Sequence, residues 1–413
     1  WSACRGGGPV TVSAARKWST IVGVAFATLL GMSVWFSVSA VAPALQRQLE
    51  LAPAQVAWLT MAVQFGFVVG AVGSALRNLA DRTPPQVLMA GGCLVGAVAT
   101  VAATLCEPSL PLLLLLRFVT GAACALVYPV GMRLVASWTQ RDRGLGIGVV
   151  VLATTVGSAA PQLLRAVGAT DAWRPPLFGA AALAVVGALL ALVSARRGPF
   201  ASPMPPFQLR QMAQAWRHRP LRLANLGYLG HMWELYAMWT WTPLFLQRVL
   251  VPEGWSSSAA SLAAFGVIAL GGLGSVLAGA LADRWGRTRT ASLSLWISGG
   301  CALVVGFVGD VSPLLALAIC CVWGFAVVAD SAQFSASVSE LAEPEYVGTQ
   351  LTTQTACGFL LTLASIQIVP VFADACGFGW TFALLALGPA VGLWAMRELR
   401  RAPESARLAG GRR

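Results

Sequence analysis

Long apolar runs alternate with short polar or charged stretches along the whole of this chain. A helix that crosses a bilayer needs roughly 20 mostly apolar residues. Runs of that length fall near 20–43, 54–76, 87–106, 110–136, 145–168 and 175–194, and again near 221–247, 258–281, 290–309, 313–338, 349–372 and 379–396. The pattern predicts an all-α integral membrane protein with twelve transmembrane helices in two pseudo-symmetric six-helix halves. One half looks as if it were written twice. Leu79, Ala80, Asp81 and Arg82 return as Leu281, Ala282, Asp283 and Arg284, each time between two apolar runs. Likewise Pro43, Leu45, Gln46 and Arg47, closing the first run, parallel Pro243, Leu246, Gln247 and Arg248, closing the seventh. The expected organisation is a tail over 1–17, a half over 18–194, a linker over 195–220, a second half over 221–397 and a tail over 398–413.

Each copy of the repeated tetrapeptide holds an acid and an arginine at a membrane face. The second copy is fuller, reading Gly279, Ala280, Leu281, Ala282, Asp283, Arg284, Trp285, Gly286, Arg287 and Thr288. That string resembles the loop signature between the second and third helices of each half in the major facilitator superfamily. The first copy departs from it, with Arg77 in place of the first glycine and Pro84, Pro85 and Gln86 in place of Gly-Arg-Lys. Both loop acids, at helix ends, are placed to face the positive N-terminus of a helix in the opposite half, near Gly348 and Thr349 or near Gly144. The resemblance implies that such contacts form a gating latch, here Asp81 and Arg82 in one copy and Gly279, Asp283, Arg284, Gly286 and Arg287 in the other. It implies this more strongly for Asp283 than for Asp81.

Composition supports a membrane protein without that motif, since 57% of residues are hydrophobic and 11% charged, with a mean hydropathy of +0.72. A soluble domain needs more polar surface. The net charge of +12 raises the question of a nucleic-acid partner, and the location of the cations answers it. Arg16, Lys17, Arg82, Arg141, Arg143, Arg196, Arg197, Arg217, Arg219, Arg284, Arg287, Arg289, Arg397, Arg400, Arg401, Arg412 and Arg413 fall on one side. The other side mixes Arg47, Arg165, Arg174 and Arg248 with Glu50, Glu107, Asp171, Glu253, Asp310 and Asp374. By the positive-inside rule both termini and the middle loop are cytoplasmic, and Glu340, Glu343 and Glu345 in one inner loop do not weigh against this. The expected location is the plasma membrane, or the inner membrane of a Gram-negative cell, with no nucleic acid bound. The nine cysteines lie mostly inside apolar runs and read as packing residues, so neither a metal nor another cofactor is expected. The small, Gly-rich residues 1–15 and the long apolar stretch after them read as a ragged start and a retained helix. In the linker, Pro199, Pro203, Pro205 and Pro206 precede a segment with Leu209, Met212 and Trp216 on one face, either an interfacial helix or a solvated basic connection.

Lys17 is the only lysine, so no phosphate-binding loop ending in Gly-Lys-Ser/Thr exists and the chain is no ATP-driven pump by itself. Two helical halves without a nucleotide site suggest a secondary transporter with its substrate near the bilayer midplane. Ionisable residues at that depth are costly and therefore informative. Arg117, His231, Glu234 and Asp330 qualify by position. Arg117 interrupts the fourth helix, with Gly121, Cys124 and Tyr128 continuing its face; Arg117 with Gly121 resembles an Arg-x-x-x-Gly pattern of the superfamily, associated with proton coupling or anion binding. Glu234 and His231 share a face of the seventh helix with Met238 and Trp241. Burial favours the neutral acid and a nearby cation the carboxylate, so Glu234 is the candidate proton carrier. Asp330 begins a polar face with Gln333 and Ser337, and the repeat offset relates it to Tyr128; it could carry protons, bind a cation or neutralise Arg133. Trp35, Phe36, Trp233, Tyr236, Trp239 and Trp241, with Gln64 and Gln354 as polar points, could line a pocket.

Proton-antiporting exporters of this superfamily carry a fifth-helix signature of spaced glycines with Gly-Pro. Gly148 and Gly157 fit its spacing, but Ala160 and Pro161 come one place early and without the glycine. The nitrate branch uses arginines in the middle of the second and eighth helices, and neither is present. The expectation is proton-coupled movement of a small organic solute by a monomer, an anion held by Arg117 being among the candidates, with drug-type efflux as the alternative. With His218 in a loop and His231 alone, no histidine cluster or nucleophile-base pair argues for a membrane-embedded enzyme or sensor.

Overall fold

In a computed structural model the described residues are 13–139, 143–168, 172–201 and 207–412. Arg141, Asp171, Pro203, Pro205, Pro206, Arg413 and residues 1–12 of the expected first tail lie outside them. Among the described residues twelve helical legs are present. The first half contains leg 1 (Ala14–Met32, resuming as Ser37–Ala40 and Ala42–Leu49), leg 2 (Pro53–Leu76), leg 3 (Pro85–Leu105), leg 4 (Leu110–Cys124, resuming as Tyr128–Trp138), leg 5 (Arg143–Gly168) and leg 6 (Arg174–Ser194). The second contains leg 7 (Arg219–Leu250), leg 8 (Ser257–Trp285), leg 9 (Arg287–Gly309) and leg 10 (Pro313–Ala329, resuming as Ser331–Leu341). Legs 11 and 12 share one continuous stretch, Val347–Leu385, bent at Gly377 (φ 75, ψ 170), and leg 12 resumes as Leu387–Arg401. Only glycine takes up that backbone conformation without strain.

Proline in the first turn opens eight of these segments, where its fixed φ suits the helix and its missing N–H costs nothing. By length and composition nine helices among the described residues are able to cross a membrane, one of them covering both legs 11 and 12. Legs 1 and 7 fall outside that set. Leg 1 is cut short at residues 33–36, and leg 7 carries His231, Glu234 and several arginines. Where legs 1, 4 and 10 are interrupted, the helical ladder tightens to i→i+3 bonds, as in Trp35 N–H to Met32 O (3.0 Å), Leu126 N–H to Ala123 O (3.0 Å) and Gln333 N–H to Asp330 O (2.9 Å). Tyr128 and Asp330 sit at the interruptions of legs 4 and 10, so the sequence repeat is also a repeat of helix shape.

Small residues let backbones approach in lipid, where no hydrophobic drive brings helices together. A Cβ on Gly66 would lie 2.0 Å from Phe118 O, and one on Gly121 2.0 Å from Val63 O, which locks legs 2 and 4 together. Legs 5 and 8 join the halves in the same way, with Gly148 against the Val276 backbone and Gly272 against Leu152. The linker forms short helical turns at Leu209–Ala213 and Gln214–Arg217. It is docked on the start of leg 11: Gln208 N–H donates to Thr349 Oγ1 (3.1 Å) and Gln350 Nε2 to Gln211 O (2.8 Å). These bonds hold the segment as a strap on the protein, where the sequence left an interfacial helix and a solvated connection open.

Candidate functional site

Three buried ionisable residues of the second half, Glu234, His231 and Asp330, lie near one another. Glu234 on leg 7 is 1% exposed. Trp323 Nε1–H on leg 10 donates to its Oε1 (2.7 Å) and Ser298 Oγ–H on leg 9 to its Oε2 (2.9 Å). Both donors are neutral, and among the described residues no cation pairs with this carboxyl. One turn away, His231 Nδ1 lies 2.8 Å from Asp330 Oδ1, both side chains buried. The cluster therefore sits inside the second half, where legs 7, 9 and 10 meet, and faces away from the first half. Ser298 and Trp323 were not among the expected residues. An indole deep in a span, where tryptophan ordinarily favours the interfaces, was the available signal.

Arg117 is placed differently. It is 1% exposed, and its guanidinium donates to Val34 O (3.0 Å), Ser37 Oγ (3.2 Å) and Trp35 O. These acceptors belong to the interruption of leg 1, where tightened turns release carbonyls at the negative end of Ala14–Met32. The arginine that the sequence offers to an anion thus holds a broken helix together. Gly121 serves the leg 2 contact.

Two more expectations are corrected. Asp330 does not neutralise Arg133, which instead binds Asp81. Gln333 does not extend a cavity face from Asp330; its Oε1 accepts from Arg287 Nη1 (3.3 Å). The second follows from the tightened turn at Asp330, after which Gln333 meets Arg287 at the start of leg 9.

The opposite side of leg 7 meets the first half in a block of rings. Trp35 packs on Phe67 (5.0 Å between centroids), Tyr236 (6.1 Å) and Phe359 (5.8 Å), and Phe36 on Tyr236 and Trp239. Trp233 and Trp241 instead donate to Leu384 O and Ile366 O within the second half. Trp35 Nε1, Trp239 Nε1 and the amides of Gln64 and Gln354 are buried without hydrogen-bond partners. Beyond the rings, at the ends of legs 1 and 7, a cavity of about 240 Å³ opens between the halves, lined by Gln46, Gln162, Arg165, Gln247, Arg248 and Asp374 among others. Pro43 and Pro243 both border it, so the repeated Pro…Gln-Arg segments frame one mouth.

The face with the repeated tetrapeptides is closed. Asp283 lies against Gly144, at the start of leg 5 in the other half: a Cβ there would meet its Oδ2 at 2.6 Å and Gly279 O at 3.0 Å. Arg287 braces this contact through Asp283 (3.1 Å) and Glu340 (3.2 Å). Arg412 donates to Asp283 O, and Ala409 N–H to Glu340 Oε2 (2.8 Å), so the second tail folds back over the same loop. Gly286 (φ 97) supplies the turn between legs 8 and 9, while Arg284 and Arg82 point outward, exposed. Asp81 does not reach Gly348 or Thr349. It stays with Arg133, and Arg197 donates to Ala80 O and Asp81 O; Gln208 occupies Thr349.

Comparison with known proteins agrees with this architecture. The profile of the Major Facilitator Superfamily matches residues 24–365. The hexuronate transporter of Escherichia coli (strain K12) is 23% identical over 432 aligned positions, covering 94% of this chain and 96% of that one. The MFS-type transporter pytF of Aspergillus terreus is 22% identical over 236 positions, 56% of this chain and 77% of the relative. Among solved structures, a bacterial homologue of the human lysosomal transporter Spinster, in an inward-facing and unoccupied conformation, superposes with a TM-score of 0.70 at 15% identity, covering 95% of this chain and all of the other. The repeated halves, the loop signature and the profile match together establish that the chain belongs to the major facilitator superfamily.

Proposed function

We propose that the chain is a secondary active transporter of a small organic solute, coupled to protons and working by alternating access. The observation that carries this reading is Glu234, buried at membrane depth and bonded only to the neutral donors Trp323 and Ser298. Holding a charge there costs several kcal/mol, and water reaches the carboxyl only when the surrounding legs move. A coupling site needs that property. The aromatic block and the cavity beyond it lie on the opposite side of leg 7, so movement of one helix serves both solute and proton. The closed tetrapeptide face is the cytoplasmic one, because the cations gather there; the membrane is the plasma membrane and the working unit a monomer. A relative matched over nearly the whole chain is named for hexuronates, which makes a hexuronate the first probe.

The test uses purified protein in proteoliposomes, with further ligands found by a thermal-shift screen. Glu234→Gln is expected to abolish accumulation driven by a pH gradient and to spare exchange of solute. Unchanged accumulation would remove Glu234 from the mechanism, and a bound ligand that moves without protons would overturn the coupling.

A further inference from the structure

We propose that Glu234 takes its proton on Oε2 alone, with Ser298 and Trp323 as the positioning residues that decide this. The inference rests on the reading of Glu234 as the coupling acid and concerns which atom does the work. The two carboxyl oxygens have unlike partners. Oε1 faces Trp323 Nε1–H at 2.7 Å, and an indole nitrogen only donates. A proton on Oε1 would set donor against donor, in a residue only 1% exposed. Oε2 faces a hydroxyl at 2.9 Å, which both donates and accepts. Ser298 has a second acceptor within reach, Leu295 O at 3.4 Å on its own helix.

Both protonation states are therefore satisfied without moving a heavy atom. With the carboxylate ionised, Ser298 O–H donates to Oε2. When a proton arrives from water and forms the Oε2–H bond, that group donates to Ser298 Oγ and the serine hydrogen swings to Leu295 O. Unloading reverses both steps, and Trp323 donates to Oε1 throughout. A buried polar network costs stability when any member is left unpaired, and this one has a partner for every group in each state. The other titratable groups near Glu234 are the His231–Asp330 pair on legs 7 and 10 and Cys301, one turn beyond Ser298 on leg 9. Neither touches the carboxyl.

Infrared difference spectra of the full chain between acidic and alkaline buffer test the assignment without any solute. Glu234→Gln identifies the carboxylic C=O band. Ser298→Ala is expected to displace that band and move its titration midpoint by about one pH unit, the scale of one hydrogen bond to a charged group. Ser298→Thr keeps the hydroxyl and should restore both. Trp323→Phe frees Oε1 and should split the band, because the proton gains a second seat. A band indifferent to Ser298→Ala, or single in Trp323→Phe, overturns the assignment to Oε2 and leaves the coupling reading intact. If wild type shows no titrating band that Glu234→Gln removes, the coupling reading itself falls.

Discussion

The two halves descend from one pattern but use their charged residues in opposite ways. In the first half Arg117 is tied to the open turns of leg 1 and Asp81 to Arg133, while Arg197 of the linker holds the carbonyls of Ala80 and Asp81. In the second, Asp283 reaches across to Gly144, Glu234 has only neutral partners, and the His231–Asp330 pair sits at a helix interruption. On the proposed reading, similar sequences serve as a scaffold in one half and as a switching part in the other. Charges satisfied locally add rigidity, and charges satisfied across a boundary or by rotatable donors add alternative states.

Three comparisons would break or sharpen this contrast. The largest effect is expected from Arg117→Gln, which leaves the carbonyls of Val34 and Trp35 without donors. At roughly 1–3 kcal/mol for each buried unsatisfied group, thermal unfolding in detergent should show a loss of about 2–6 kcal/mol, while Glu234→Gln leaves the melting temperature nearly unchanged. If Arg117→Gln melts like wild type and loses solute binding, the scaffold reading is wrong and the arginine holds substrate. Next comes Gly144→Val, whose side chain would enter the space of the Asp283 carboxylate. Overpacking of about 1–3 kcal/mol against the closed face corresponds to as much as a hundredfold shift toward the state open on that side, read as a longer spin-label distance between the tetrapeptide-face ends of legs 5 and 8. The smallest effect separates the repeated acids. Asp283→Asn should move the same distance distribution by about 1 kcal/mol, and Asp81→Asn should leave it in place. Equal responses would mean that both copies latch.

Much of the architecture was legible in the sequence, because apolar runs of bilayer length and a repeated loop are local signals. The run near 54–76 became the helix Pro53–Leu76, and that near 175–194 became Arg174–Ser194. The interruption of leg 1 was not legible: Ser33, Val34, Trp35 and Phe36 include neither glycine nor proline, and the arginine that stabilises the open turn lies eighty-odd positions away. Burial of Arg117, Glu234 and Asp330 was readable from their place in apolar runs, but their partners were not, since which helix faces which is decided by packing. Gln333 shows the limit. Helical spacing put it beside Asp330, and a tightened turn at Asp330 handed it to Arg287.

That turn has a mechanical consequence. The segment Ser331–Leu341 is anchored at one end by the carboxylate of Asp330 on His231 and at the other by Glu340 on Arg287 and the second tail. Eleven residues of helix span about 16 Å, so a tilt of roughly 10° about Asp330 would carry the far end close to 3 Å. A lever of that length would turn a small displacement among buried acids into one large enough to unseat a hydrogen bond at the surface, with a single helical arm.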